Sequence, residues 1–237
     1  DDRSVEQIFT GLNAGKIPLT NSELVKALIL RENNFDKATY KNEFVEIAQE
    51  WDRIEKRLRE TNFWAWLGEK PTDNPHIDFV LDMVAKELNK TRNLGVDEKD
   101  QNYSYNVLSR ALENDDLTCR ASILWKEIKK CFMTLEDWYD DIETYHLVGY
   151  LNQIDKSNKV SSFYERYFAE DFSFNDEVGK KFINVDFEDI NFGNPDLYRI
   201  LLIFNILSCI KNKTKFHFDL YSGTKYDVEH IFPHSEF

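Results

Sequence analysis

Cysteine is scarce in these 237 residues: Cys119, Cys131 and Cys209 are too few and too scattered for a disulfide framework or a Cys-x-x-Cys zinc knuckle. They fit a reducing, cytoplasmic compartment. Glycine (8) and proline (5) are also rare, which excludes collagen-like and low-complexity chains and leaves room for long helices. No apolar run reaches the ~20 residues of a membrane span, and the opening Asp1-Asp2-Arg3 lacks signal-peptide character. The want of an initiator Met leads to the expectation that residue 1 is not the native start. Positive charge is the other deficit: 30 Lys and Arg against 43 Asp and Glu give a net charge of -13. Nonspecific affinity for nucleic acid comes from basic side chains neutralising phosphates, so a surface that binds DNA indiscriminately is excluded. Any DNA contact must be local.

What the chain does have is 42% hydrophobic and 14% aromatic residues, the composition of a packed, helix-rich globule of one large or two small domains. Ser4 with Gln7 reads as a capping box ahead of Val5, Ile8, Phe9 and Leu12 on one face. After Asn13 and Gly15, a second capping box, Thr20 with Glu23, starts a helix carrying Leu24, Val25, Leu28 and Ile29. Ile47, Trp51, Ile54 and Leu58 then recur at helical spacing, followed by the cluster Phe63, Trp64, Trp66 and Leu67. Gly68, Pro71 and Pro75 interrupt the pattern before Ile77, Leu81, Val84 and Leu88 resume it, and the polar stretch 89–104 reads as a linker. Beyond it, Ala121 to Phe132 predicts one helix and Leu135 to Tyr145 another. Asn194-Pro195 starts a strongly apolar helix through Leu201, Ile203, Phe204 and Leu207, the expected buried centre of the second half. From Phe216 the period changes to two, and with the Ser222-Gly223 turn it predicts a terminal β-hairpin.

Several motifs fail as sites on closer reading. Gly11 to Lys16 has three residues between its glycines instead of four and Ile17 where magnesium would need a hydroxyl, so it is a tight turn and not a phosphate-binding loop. Glu143 and His146 stand at i and i+3, the spacing of di-metal helical bundles, but no second Glu-x-x-His exists; a packing pair is the simpler reading. His76 and His217 are lone histidines, and the aromatics at 63–67 suit a core better than a base-stacking platform. The acids Glu136, Asp137, Asp140, Asp141 and Glu143 read as a solvated face, as do Lys211, Lys213, Lys215 and Lys225.

The last residues differ in kind. Cleaving a phosphodiester near neutral pH needs a base to activate water and a cation to stabilise charge on the phosphate, and an adjacent carboxylate and imidazole can supply the base and a ligand. Glu229-His230 is such a pair, although it equally fits a polar strand end with a surface histidine. On a strand the two side chains face opposite ways, so joint action on one phosphate requires a bend, which Pro233 would favour.

The fuller string Asp227-Val228-Glu229-His230-Ile231-Phe232-Pro233, with Ser235 following, resembles the opening strand of HNH nucleases, usually Asp-x-Asp-His-Ile-x-Pro. The resemblance implies His230 as general base and Glu229 as ligand of a catalytic Mg or Mn ion, with Glu229 departing from the commoner aspartate. A second stretch, Ile8 to Thr20 and then Glu23-Leu24-Val25-Lys26, is similar to a segment of GmrSD-type modification-dependent (type IV) restriction endonucleases. There it follows a ParB/sulfiredoxin-like domain with an Asp-Gly-Gln-Gln-Arg motif; Trp51-Asp52-Arg53-Ile54-Glu55 and Phe63-Trp64 are similar to the helical region downstream. Such enzymes use a nucleoside triphosphate and restrict phage DNA carrying modified bases or backbones. The likeness covers roughly the first 70 residues and the last dozen.

The expectation is therefore a mainly α chain: a helical region over 1–89, a second over 105–211, and a small C-terminal β-hairpin over 215–237 that begins an HNH ββα element. No Asp-Gly-Gln-Gln-Arg string is present, so nucleotide handling is assigned to a domain outside this chain. The HNH asparagine and final histidine would lie past Phe237, and the 237 residues alone are expected not to cut DNA. Expected partners are modified phage DNA and a second copy or partner subunit, with no membrane. The rival expectation is a non-catalytic helical scaffold or partner-binding module with a degenerate motif, its acidic surface suited to protein partners or to mimicry of DNA. A helical di-metal protein built on Glu143 and His146 is a third.

Overall fold

The structure, a computed structural model, describes residues 19–35, 38, 40–113, 120–154, 160–188, 190, 194 and 196–221. The chain is mainly α. The described residues form eleven α-helices and one 3-10 turn (Glu32–Asn34), and no strand occurs among them. The helices are α1 (Asn21–Ile29), α2 (Tyr40–Leu58), α3 (Thr61–Trp66), α4 (Asp78–Thr91), α5 (Tyr103–Glu113) and α6 (Arg120–Asp140), then α7 (Ile142–Ile154), α8 (Val160–Tyr167), α9 (Phe174–Lys180), α10 (Asp196–Asn212) and α11 (Phe218–Tyr221). None is long and apolar enough to cross a membrane.

The chain divides into two compact units that interleave in sequence: 1–51 with 77–129, and 52–76 with 130–237. Of the three crossings, two fall inside helices, after Trp51 in α2 and after Lys129 in α6, and the third follows His76, just ahead of α4. The division therefore differs from a break at 89–104. That stretch is polar but fixed: the Asn89 amide donates to Val96 O at 2.8 Å and accepts from Val96 N at 3.1 Å, while Arg110 donates to Leu94 O at 2.9 Å. Asn93 (φ 51°) and Gly95 (φ 67°) turn the chain, so α5 returns against α4.

In the first unit α1 begins as its sequence predicts. Thr20 Oγ1 accepts from Glu23 N at 3.3 Å and Glu23 Oε2 accepts from Thr20 N at 2.8 Å, a complete capping box that satisfies donors the first turn leaves open. Val25, Leu28 and Ile29 are buried, and the Asn34 amide closes the other end on Leu28 O and Ile29 O. Trp51 stacks on Trp125 (ring centroids 5.9 Å apart), and the Trp125 indole N–H donates to Glu50, which also pairs with Lys129. The helix α5 falls in the expected helical region from 105 onward and starts two residues earlier, inside the stretch read as linker; it buries Tyr105, Val107, Leu108 and Ala111.

The second unit is organised around α7, buried on nearly all sides from Tyr145 to Asn152. Its start corrects the expected break near residue 133: α6 runs unbroken to Asp140, because no helix-breaking residue stands at Met133-Thr134. The stop comes at Asp141, whose carboxylate accepts from Thr144 N at 2.8 Å and opens α7; that bond holds the Asp141 carboxyl below its usual range. Trp66, fully buried, stacks on Tyr145 (6.0 Å) and donates its indole N–H to Tyr145 O at 2.8 Å, while Asn152 donates to Trp66 O at 2.9 Å. The helix α10 packs on α7, but it is not the buried centre that its apolar sequence predicts. Ile200, Leu202 and Ile206 are buried, whereas Phe204 is 64% and Leu207 50% exposed.

Candidate functional site

Glu229 and His230, the residues on which the sequence reading centres, lie outside the described residues, as does the rest of the expected hairpin from Ser222 onward. What the structure does place is the chain that leads to them. The alternation of Phe216, Phe218 and Leu220 predicts a strand, yet Phe218–Tyr221 forms the single helical turn α11. The alternation here records burial: Phe216 and Phe218 insert into the core while the His217 side chain between them stays exposed.

This lead-in is held by α7 at both polar atoms of one residue. His146 is completely buried, and Phe216 N donates to its Nε2 at 3.0 Å. A backbone N–H can only donate, so Nε2 carries the lone pair and Nδ1 carries the proton, which it gives to Ile142 O at 2.5 Å. Tyr145 Oη donates to Phe216 O at 2.7 Å. One residue earlier, Lys215 Nζ lies 3.9 Å from the Tyr139 ring centroid and 4.6 Å from that of Tyr145, and it donates to Tyr139 O at 2.6 Å. One turn further along α7, Gly149 takes the Phe218 ring against its backbone. A Cβ there would stand 2.2 Å from the ring, so only glycine permits this approach.

The electrostatics follow from this burial. Desolvation depresses the His146 pKa, more than the bond to Ile142 raises it. It likewise lowers that of Lys215, against the attraction of Asp140, and raises those of Tyr139 and Tyr145. Burial thus favours the neutral forms of His146, Tyr139 and Tyr145 in a tight hydrogen-bond network, which is the chemistry of an anchor.

The other sequence candidates separate in the same way. Glu143 accepts from Asn175 Nδ2 at 3.1 Å on an exposed surface, while both ring nitrogens of His146 are taken, so the pair shares no site. Among the described residues no group of three or more His, Cys, Asp or Glu side chains is arranged to hold a metal ion. Phe63, Trp64, Trp66 and Leu67 are all buried, as a core cluster must be. The ring of His76 packs 4.1 Å from that of Trp64. The acidic run around Glu136 meets Arg57, which lies 3.4 Å from Glu136 and 3.8 Å from Asp140 while its guanidinium covers the Phe63 and Tyr139 rings. An open depression of about 390 Å³ beside α9 is lined by Asp171, Asp176 and Glu177 among others, but the Glu177 carboxylate is already claimed by Arg166 and Lys180.

Nothing in the sequence signalled the Phe216 anchor, because its partners stand about 70 positions apart. Comparison with protein-family models, with curated proteins and with solved structures finds no match.

Proposed function

We propose that this chain is the helical body and first nuclease strand of an NTP-stimulated, metal-dependent HNH DNA endonuclease acting in modification-dependent restriction of phage DNA. The observation that carries the reading is the string Asp227 to Pro233, and the resemblance over Ile8 to Thr20 supports it from the opposite end of the chain. In this reading the neutral imidazole of His230 takes a proton from the attacking water, and the Glu229 carboxylate holds a divalent cation. The donor set suits the ion: a carboxylate oxygen is a ligand of the kind Mg or Mn prefers, and a small protein ligand count leaves positions for phosphate oxygens and water. When bound, such a cation supplies charge stabilisation at the scissile phosphate. The nucleoside triphosphate is handled by a domain outside this chain.

The test is nicking of plasmid by the full-length protein in Mg or Mn buffer. Replacing a general base costs about 10²–10⁴-fold in rate, so His230→Ala is expected to reduce nicking by at least ~100-fold. Nicking that survives His230→Ala unchanged refutes the assignment. The net charge of -13 favours a second reading, a non-catalytic scaffold with a degenerate motif. The wild-type protein would then nick nothing with either ion.

A further inference from the structure

Of the three described histidines, His76, His146 and His217, only His146 is completely buried with both ring nitrogens engaged. Its Nε2 must keep a lone pair to accept from Phe216 N at 3.0 Å, and its Nδ1 proton is committed to Ile142 O at 2.5 Å. An imidazolium carries a proton on each nitrogen, so a second proton on this ring would point at the Phe216 N–H, donor against donor. Protonation and the bond to Phe216 therefore exclude each other. The geometry alone requires this, and it ties the hold of α7 on the C-terminal lead-in to one proton.

The charges around His146 do not relieve the conflict. Lys215, on the lead-in itself, opposes a second cation at the ring. The acids of the surrounding elements are engaged elsewhere: on α7, Asp141 accepts from Thr144 N and Glu143 from Asn175; on α6, Asp140 and Glu136 lie against Arg57 of α2. On α11, Asp219 lies 3.6 Å from the exposed His217; on α10, Asp196 pairs with Arg199; on α9, Glu177 pairs with Arg166 and Lys180. Tyr139 and Tyr145 are held in their neutral forms by burial. Desolvation acts in the same direction as the geometry, lowering the pKa of folded His146. A lowered folded-state pKa means that the bond is fully favoured above the ordinary ~6.5 and loses ground as pH falls towards the depressed value. The consequence is local. Residues 215–221 depend on α7 for both polar atoms of Phe216 and for the seat of the Phe218 ring on Gly149, whereas α7 keeps its bonds to Trp66 through Tyr145 O and Asn152 whatever the state of the imidazole. Opening one end of a unit requires less free energy than unfolding the whole of it.

We propose that His146 is an acid-sensitive latch: a solvent proton taken up at Nε2 breaks the bond to Phe216 N and releases residues 215–221 from α7 while the rest of the second unit stays folded. The latch does not depend on the nuclease reading. Amide exchange of the full chain, followed by NMR from pH 7.5 to 5 and corrected for the intrinsic pH dependence of exchange, reads it residue by residue. Protection at Phe216 is expected to fall with acid, by at most about tenfold per pH unit for one proton, while Val148 and Leu151 in α7 hold theirs. His146→Gln offers an acceptor near the position of Nε2 that does not titrate, and it is expected to make protection at Phe216 independent of pH. His217→Gln, at an exposed neighbour, is expected to leave the fall in place. Should His146→Gln fail to fold, the imidazole nitrogen shifts of the wild type decide the same point, since the latch requires Nε2 to gain its proton over the range in which Phe216 loses protection. A wild type whose Phe216 protection ignores pH overturns the proposal. So does a fall shared equally by Val148 and Leu151, a fall that persists in His146→Gln, or a ring that stays neutral while protection is lost.

Discussion

Replacing His146 by phenylalanine isolates the anchor on which the C-terminal segment rests. Phenylalanine fills nearly the same buried space but accepts no hydrogen bond, so the Phe216 N–H, now 3.0 Å from Nε2, is left as an unpaired buried donor. Such a group costs about 1–3 kcal/mol. The substitution also changes how stability responds to acid. Burial depresses the folded-state pKa of His146, so the unfolded chain binds the proton more readily than the folded one. The contribution of this residue is complete above its ordinary value of ~6.5 and is lost as pH falls through that value towards the depressed one. Protonation of the unfolded chain therefore removes stability between pH 7.5 and 5.5. In His146→Phe that component vanishes, whatever the other groups contribute to both proteins. Urea unfolding of wild type and variant at the two pH values measures the difference, and amide exchange at Phe216 reports the anchor locally. Equal pH dependence in the two proteins, or an unchanged exchange rate at Phe216, refutes the reasoning.

Gly149→Ala places a Cβ 2.2 Å from the Phe218 ring and forces α7 and α11 apart, an overpacking expected to cost about 1–3 kcal/mol, with Phe218→Leu on the same chain recovering part of the loss in a thermal melt. Thr20→Ala removes the hydroxyl that accepts from Glu23 N, and about 1 kcal/mol of helix stability should go with it; an unaltered urea midpoint would show that the box contributes nothing.

Where the sequence was read correctly, the signal was local or periodic. Thr20 and Glu23 announce a capping box because both partners lie within one turn, and Ile47, Trp51, Ile54 and Leu58 announce a buried face because a helix returns to the same side every three or four residues. The readings that failed needed information from further away. Polarity over 89–104 describes a loop but not its two bonds from Asn89 to Val96, and so not the return of α5 onto α4. Alternation at Phe216 and Phe218 describes burial but not backbone, since both rings enter the core from a turn and a single coil of helix. The apolar run in α10 describes a helix that shuns water without saying whether its own chain or another covers it. Of the candidate site, the sequence offers the Glu-His pair at 229–230, which lies outside the described residues, and nothing in it signals the anchor before that pair.

That anchor bears on how the proposed nuclease would hold its motif. Phe216 precedes Glu229 by 13 positions, and both of its backbone polar groups are committed to side chains of α7, Tyr145 and His146. Lys215 is pinned one residue earlier and Phe218 two residues later, so three successive fastenings fix position and direction where the chain leaves the core. A segment tethered by a single contact can pivot, whereas one held through its amide, its carbonyl and a flanking ring has lost that freedom before the motif begins. The helical body would then contribute to catalysis without touching substrate, by delivering residues 229 and 230 from a rigid origin. Loosening the anchor with Tyr145→Phe, which removes only the donor to Phe216 O, should on this argument lower the nicking rate of the full-length enzyme while leaving DNA affinity unchanged. A loss of affinity with the rate at saturating DNA intact would assign α7 to binding instead.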